Sequence, residues 1–201
     1  MNILFLTNSP MAVMGGYETL IMRMSDYLTQ QGHSAYLISP DIDDRLRAEF
    51  NPAVFIQSSG IDFNELWSRQ GFESFYASIE LPRVDVIVCI DMRSYILAGL
   101  MLAKLNCATA NLTIGLFQPD SVPQVTGRKY GARMVRRLLR LDAHRTSVVA
   151  MGKRLQREWN GHFSGVCAAD FIPLPVELER FNAVRRTAIP YRIVSVGRLQ
   201  D

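Results

Sequence analysis

Short, continuously apolar runs alternate along this chain with segments of helical periodicity, and no hairpin-type turn joins one run to the next. Strands are predicted at residues 2–7, 34–39, 53–57, 84–90, 108–116, 145–151 and 168–172. Helices are predicted at residues 17–31, 63–79, 94–105, 129–141 and 154–162. Strands that are apolar throughout and separated by helices are typical of a parallel sheet covered on both faces. The pattern therefore predicts an α/β fold with a Rossmann-like, doubly wound parallel sheet.

Length and composition suit one globular domain of this kind. The chain has 201 residues, against about 150 for a typical domain. It is 48% hydrophobic with a net charge of +3, which excludes intrinsic disorder, because disorder requires low hydrophobicity and high net charge. The chain has three cysteines, Cys89, Cys107 and Cys167. They are not spaced like the ligands of a metal site, and an odd number does not suit a set of disulfide bonds. We therefore expect free thiols and a cytoplasmic location.

The segment after residue 182 departs from this layout. Residues 183–190 are polar and linker-like, and residues 191–201 hold an apolar strand followed by Gly197-Arg198. A strand that has no following helix is expected to be the start of another domain. The sequence thus predicts a Rossmann-like domain over residues 1–182, an interdomain linker over 183–190 and the first strand of a truncated second domain over 191–201.

A pair of glycines, Gly15-Gly16, lies between the first predicted strand and the first predicted helix. Open parallel sheets bind ligands at this edge. Glycine lets the backbone approach a ligand, and a helix N-terminus presents N–H groups and the positive end of its dipole. A phosphate or a sugar hydroxyl would suit this loop, and the alternative is a tight turn that needs glycine dihedral angles. Residues 13–18 lack the GxGxxG pattern, so a nicotinamide or flavin dinucleotide site is not expected.

Several short motifs follow one another in a fixed order. They are Gly15-Gly16-x-Glu18, Gln31-Gly32-His33, Val84-Asp85-Val86-Ile87-Val88, Ile172-Pro173, Val176-Glu177-Leu178-Glu179-Arg180-Phe181 and Val196-Gly197-Arg198-Leu199. Together they cover essentially the whole chain and resemble the N-terminal domain of the retaining group 1 (family 4) glycosyltransferases of the GT-B fold. The resemblance implies an acceptor-side domain that faces a donor-binding domain, which residues 191–201 would begin.

The resemblance also implies a reaction. A sugar would pass from a nucleotide-diphosphate sugar to a polysaccharide, lipopolysaccharide or glycolipid acceptor of the cell envelope, with retention of configuration. No metal or other cofactor is implied, because cationic side chains neutralise the departing diphosphate. The partners would be the nucleotide-sugar donor and a saccharide or lipid-linked acceptor.

Specific residues take roles by the same resemblance. Gly15 and Gly16 would approach the donor diphosphate, and the guanidinium of Arg198 would neutralise it. The family's lysine and its glutamate-rich motif would follow Asp201, so the fragment alone is expected to be inactive, and no catalytic residue is assigned within it. Gly115 stands where the family often has a histidine, and the residue that replaces this histidine is not identified.

Three carboxylates are candidates for the acceptor side of the site: Glu18, Asp91 and Asp120. Asp91 and Asp120 lie at predicted strand ends, where each would accept a hydrogen bond from an acceptor hydroxyl or remain solvated in a loop. Glu18 lies in the first turn of a predicted helix, where it either contacts a ligand or stabilises the helix dipole.

Charge is distributed unevenly along the chain. Residues 1–100 carry a net charge of −6 and residues 101–201 a net charge of +9. The predicted helix 129–141 places four arginines on one face: Arg133, Arg136, Arg137 and Arg140. Such a face is either simply solvated or a peripheral contact with an anionic membrane at its cytoplasmic side. Nucleic acid is not expected as a partner, because no aromatic residues interleave the arginines.

One other class of function fits the same sequence. A non-catalytic Rossmann-like module that binds a sugar, an anionic lipid or a nucleic acid would also combine an open parallel sheet with an arginine-rich helix. The reading frame beyond Asp201 separates the two classes: a following Lys-Gly and a further series of strands and helices are expected for the transferase, and a natural stop codon for the module.

Overall fold

The structure, a computed structural model, describes residues 1–7, 10–60, 69–81, 83–90, 94–95, 97–99, 101, 140, 146–163 and 165–172. The elements are β1 (Asn2–Leu6), α1 (Gly16–Gln30), β2 (Ser34–Ser39), α2 (Asp44–Glu49), β3 (Phe55–Ser58), α3 (Arg69–Ser78), β4 (Val86–Cys89), β5 (Val148–Ala150), α4 (Lys153–Phe163) and β6 (Ala169–Phe171). The described residues between 94 and 101 are also helical.

Four strands form a parallel sheet in the order β3-β2-β1-β4. The chain moves outward from β1 to β3 and then returns to the other side of β1 as β4. Strand order therefore reverses between β1 and β4. In open α/β sheets, the crevice that binds ligands lies at the carboxyl ends of the strands where this reversal occurs.

Helices cover both faces of the sheet. Successive side chains of a strand point to opposite faces, so neighbouring residues of β1 belong to different buried clusters. On one face, Phe5 of β1 lies in a buried cluster with Ile21 of α1 and Leu46 of α2. On the other face, Leu6 lies in a cluster with Phe75 of α3 and with residues of the 94–101 helix. The predicted fold class is confirmed: this is an α/β domain with a Rossmann-like, doubly wound parallel sheet.

A second parallel pair, β5 and β6, is connected by α4. Trp159 of α4 is 2% exposed and belongs to the same cluster as Leu6. Its ring lies 4.7 Å from that of Phe163, and its Nε1 donates a hydrogen bond to the carbonyl of Cys167 at 2.8 Å. The indole ring is thus buried and its N–H is hydrogen-bonded. Both contacts hold α4 against the turn that leads into β6.

Helix α1 ends as the sequence predicts, at a glycine in the left-handed region. Gly32 has φ 79°, its N–H donates to the carbonyl of Thr29, and the N–H of His33 donates to that of Leu28, both at 3.0 Å. These are the two hydrogen bonds of a Schellman motif. Tyr27 lies at helical spacing from the other apolar residues of α1, but it is 61% exposed.

Helix α2 was not predicted from the sequence. Its six residues are too few to show a helical period, and it begins where the Asp43 side chain accepts a hydrogen bond from the N–H of Arg45 at 2.9 Å. Asp43 is therefore an N-cap residue, a signal that is visible in the sequence.

Several predicted elements fall outside the described residues. These are the strand 108–116, most of the helix 129–141, the linker 183–190, the strand 191–201 and the start of the helix 63–79. The domain boundaries and the truncated second domain therefore stay predictions. Among the described helices, none has the length and apolar character needed to span a bilayer.

Candidate functional site

The loop between β1 and α1 is anchored at the carboxyl edge of the sheet. Met11 forms an isolated parallel bridge with Ile42. Its N–H donates to the carbonyl of Asp41 at 2.9 Å, and its own carbonyl accepts from the N–H of Asp43 at 3.0 Å. The Met11 side chain is fully buried. These contacts fix the backbone that leads to Gly15.

Helix α1 begins without a side-chain cap. Gly15 is its N-cap residue, with φ −128° and ψ −166°, and it has no side chain that could accept from the first turn. Its carbonyl accepts hydrogen bonds from the N–H of Thr19 at 3.1 Å and from the Thr19 hydroxyl at 2.7 Å. Helix geometry leaves the first-turn N–H groups without a carbonyl partner inside the helix. They present donors and the positive end of the dipole at the carboxyl edge.

Backbone conformation does not account for glycine at positions 15 and 16. Among the described glycines, positive φ angles occur at Gly32 and Gly60, whereas the φ of Gly15 is one that any residue adopts. Apart from its chain neighbours and the backbone of its own helix, a Cβ added at Gly16 would meet no heavy atom of the described residues within 4 Å. The interpretation of this pair as a turn that needs glycine dihedrals is therefore wrong. Gly16 leaves the helix N-terminus open to a close approach.

Glu18 lies on the face of α1 that packs on the sheet. It is 4% exposed, and it shares a stripe with Ile21 and Ser25, which are also buried. The Ser25 hydroxyl donates to the carbonyl of Met22 at 2.9 Å, so that polar group is satisfied. Oε2 of Glu18, in contrast, is buried without a hydrogen-bond partner among the described residues. A polar atom in this state is rare in folded proteins and calls for an explanation.

Glu18 lies in the first turn of α1, at the end of the helix that follows the carboxyl end of β1. We define the β1–α1 corner as Gly15, Gly16 and Glu18. It combines backbone donors, an accessible backbone at Gly16 and a buried carboxylate, and it follows β1, one of the two strands between which the strand order reverses.

The surroundings of the β1–α1 corner are partly polar and partly apolar. Thr7 follows β1 at the carboxyl edge, is 2% exposed and donates its N–H to the carbonyl of Ile38 at 3.1 Å. Val13 and Met14 precede the glycines and are 66% and 40% exposed. Sequence reasoning did not single out these residues or Met11. The sequence signal for Thr7 was its position directly after an apolar strand. No sequence pattern indicated that Met11 would be buried beside this site.

Most of the other residues expected at the site fall outside the described part of the chain. These are Asp91, Asp120, Gly115, Arg198, Arg133, Arg136 and Arg137. Arg140 is described, and it is helical and exposed. The roles expected for all of these residues stay predictions.

The described cysteines, Cys89 and Cys167, are not in disulfide bonds, and their surroundings differ. Cys89 is buried in β4 and Cys167 is half-buried before β6. Burial, followed by the charge of Asp170, raises the pKa of the Cys167 thiol above its ordinary value. Such a thiol is a poor nucleophile at neutral pH. Within the described ranges, no group of three or more histidine, cysteine or acidic residues could hold a metal ion.

An open groove of about 460 Å³ lies elsewhere on the domain. It is lined by Tyr36, Phe55, Glu80 and Leu81. Phe55 begins β3 and Leu81 precedes β4, so the groove lies toward the amino ends of these strands. Parallel sheets bind ligands at the opposite edge, which favours the β1–α1 corner as the functional site.

Comparison with solved structures supports the fold. One similar structure is the lipopolysaccharide outer core galactosyltransferase WaaB in its apo form, with a TM-score of 0.57 and 14% sequence identity. The chain shares its fold with a glycosyltransferase. The match covers 88% of this chain and 47% of that one, so the chain spans about half the length of WaaB. The shared architecture is the Rossmann-like N-terminal half of a GT-B fold.

Sequence comparisons add nothing to this likeness. No protein-family model matches the chain, and the comparison with curated proteins gives no match. Membership of the group 1 (family 4) glycosyltransferases therefore stays a prediction based on the short motifs, and so does retention of configuration.

Proposed function

We propose that this chain is the acceptor-side domain of a glycosyltransferase that uses a nucleotide-diphosphate sugar. The observation that carries the proposal is the fold: 88% of the chain matches a lipopolysaccharide galactosyltransferase at a TM-score of 0.57. Because the identity is 14%, the likeness supports a class of protein rather than a particular donor or acceptor.

The β1–α1 corner supports the same proposal. It lies at the strand-order reversal, where open α/β sheets bind their ligands. Gly16 is open to close approach, and the first turn of α1 offers backbone donors. Small-molecule sites typically place a few convergent polar groups beside apolar surface, and exposed Val13 and Met14 supply that surface.

The finer parts of the proposal come from the sequence motifs. The natural protein would transfer its sugar with retention to a polysaccharide, lipopolysaccharide or glycolipid acceptor, without a metal. Arg198 would neutralise the departing diphosphate, and this electrostatic stabilisation would be the main contribution of the protein to catalysis. Asp91 and Asp120 would contribute to the acceptor side, and the protein would work in the cytoplasm at the membrane surface.

A transfer assay tests this proposal. The natural protein that carries this sequence is incubated with UDP-, GDP- and ADP-sugars and with oligosaccharide and lipid-linked acceptors. We expect acceptor-dependent release of a nucleoside diphosphate with one of these donors, and a product whose anomeric configuration, measured by NMR, matches that of the donor. The fragment of residues 1–201 should show no transfer. Saccharide binding by the natural protein, with no transfer from any donor, would contradict the proposal and favour a binding module.

A further inference from the structure

We propose that the groove lined by Tyr36, Phe55, Glu80 and Leu81, which we call the amino-edge groove, binds a small organic cation that carries a quaternary ammonium group. Its volume of about 460 Å³ is within the range of small-molecule sites. The groove lies toward the edge of the sheet opposite to the β1–α1 corner. The inference therefore concerns a second site and does not depend on the proposed function.

Two aromatic rings line the amino-edge groove together. Tyr36 of β2 and Phe55 of β3 are direct partners in the parallel register, so their side chains lie on the same face of the sheet. Their ring centroids are 5.9 Å apart, and the ring planes are inclined at 56°. Phe55 is 47% exposed and Tyr36 is half-buried, so ring surface remains accessible. A cation within about 6 Å of a ring centroid is attracted by the negative face of the ring, and a cation between these two rings is within reach of both.

The polar surroundings of the groove favour positive charge. Glu80 is exposed and lies two residues after the end of α3. A helix C-terminus carries the negative end of the dipole, and the last turn of α3 contains no basic residue that would offset it. Arg83, the next basic residue along the chain, lies 4.0 Å from the carboxylate of Asp85. A cationic ligand therefore offsets a local excess of negative charge, whereas an anion is repelled by the same groups.

Gln57 holds the aromatic and acidic parts of the groove together. Its Nε2 donates a hydrogen bond to the carbonyl of Ser78 at 2.8 Å, and its Oε1 accepts one from the N–H of Glu80 at 3.1 Å. Gln57 is two residues from Phe55 in β3, so its amide ties the end of α3 to the strand that carries the exposed ring. The backbone on the two sides of the groove is thus positioned before a ligand binds, which lowers the cost of ordering the site.

The exposure of the groove selects a weakly hydrated cation. Because Phe55 and Glu80 are exposed, a bound ion stays in contact with water, and a strongly hydrated ion such as Na⁺ gains little by leaving bulk solvent. A quaternary ammonium group loses less hydration and still interacts with the rings. A saccharide also stacks on aromatic rings, but it is neutral and gains nothing from the negative charge at the end of α3.

The test is a titration of the isotope-labelled 201-residue chain with choline chloride, in which the amide shifts of Phe55 and Glu80 are followed by NMR. The matched ligand is 3,3-dimethyl-1-butanol, which has the shape of choline without its charge, and sodium chloride at equal concentration controls for ionic strength. We expect saturable choline binding in the millimolar range and about tenfold weaker binding of the neutral analogue. Equal binding of the two ligands would overturn the inference, as would equal shifts with D-galactose or the absence of choline-specific shifts.

Two single variants locate the site and separate its two contributions. Phe55→Leu removes the exposed ring, and Glu80→Gln removes the charge but keeps the backbone N–H that Gln57 accepts. Each should weaken choline binding about twofold to fivefold with little change in melting temperature, because both side chains are exposed. The control is Glu49→Gln, at an exposed glutamate of α2, which should bind choline like the unmodified chain. Unchanged choline affinity in both Phe55→Leu and Glu80→Gln would overturn the inference.

Discussion

Oδ2 of Asp85 accepts a hydrogen bond from the backbone N–H of Asn2 at 2.8 Å. The two residues also pair through the backbone, because the N–H of Asp85 donates to the carbonyl of Asn2 at 2.9 Å. The amino ends of β1 and β4 are thus held together by a side chain from the Val-Asp-Val-Ile-Val motif. Strand order reverses between these same two strands, and helix α1 follows the carboxyl end of β1. Asp85 therefore stabilises the junction on which the candidate site is built.

Replacing Asp85 should destabilise the domain. We expect Asp85→Ala to lower the free energy of unfolding by about 1–3 kcal/mol, since a part-buried N–H loses a charged acceptor. Urea denaturation followed by circular dichroism measures the change. Arg83→Ala is the control: its exposed side chain lies 4.0 Å from Asp85, and such pairs contribute about 0–1 kcal/mol. Equal losses in the two variants would contradict this account.

Met11 should be important both for stability and for the candidate site. Its side chain is fully buried and its backbone bridges to Ile42. Met11→Ala should cost about 2–5 kcal/mol by leaving a cavity, whereas Met11→Leu, which conserves volume, should cost less than about 1.5 kcal/mol. The alanine variant should also bind saccharide more weakly, because the loop that leads to Gly15 loses its anchor. Wild-type stability in Met11→Ala would show that the loop is held by other contacts.

The thiol of Cys167 should titrate at a more alkaline pH than a free cysteine. Burial and then Asp170 raise its pKa in the folded state, so folding favours the protonated form. Its contribution to stability is present at neutral pH and is lost as the pH rises through the folded pKa. Alkylation by iodoacetamide, resolved by peptide mass spectrometry over a pH series, measures this pKa. Asp170→Asn should lower it modestly, and alkylation at the rate of an exposed cysteine near neutral pH would contradict the prediction.

The arginine-rich face predicted for residues 129–141 gives a membrane prediction. Arg140 is exposed, and each arginine near an anionic surface contributes about 1 kcal/mol. We expect the chain to cosediment with phosphatidylserine-containing vesicles at physiological salt, and binding to fall at least tenfold when the four arginines (Arg133, Arg136, Arg137 and Arg140) are changed to alanine. Equal binding by the two proteins would exclude a membrane role for this face.

Much of the fold could be predicted because its signals are local. β4 is apolar throughout, β1 is apolar after its first residue, and β2 is apolar between its two end serines, as expected for strands that are buried on both faces. Gly32 marks the end of α1, since its positive φ is most easily adopted by glycine. Helix α2 escaped prediction because six residues do not establish a period. Its N-cap, Asp43, was the remaining signal.

The candidate site was harder to predict, because the burial of a polar residue depends on tertiary packing. The buried stripe of α1 includes Glu18 and Ser25 as well as Ile21, so a search for apolar periodicity cannot find it. The same search assigns Tyr27 to the buried face of α1, whereas Tyr27 is exposed. Glu18 was identified as a first-turn carboxylate, but only the packing of α1 on the sheet shows that the residue is buried and lacks a partner for Oε2.

Chemical-shift mapping tests the central claim most directly. The isotope-labelled 201-residue chain is titrated with a saccharide acceptor of the natural protein, and its backbone amide shifts are followed by NMR. The account predicts that the largest changes occur at Gly16, Tyr17 and Glu18, with smaller changes at Thr7 and at the carboxyl end of β4. Changes that instead centre on the groove lined by Tyr36 and Phe55, with none at the start of α1, would contradict it.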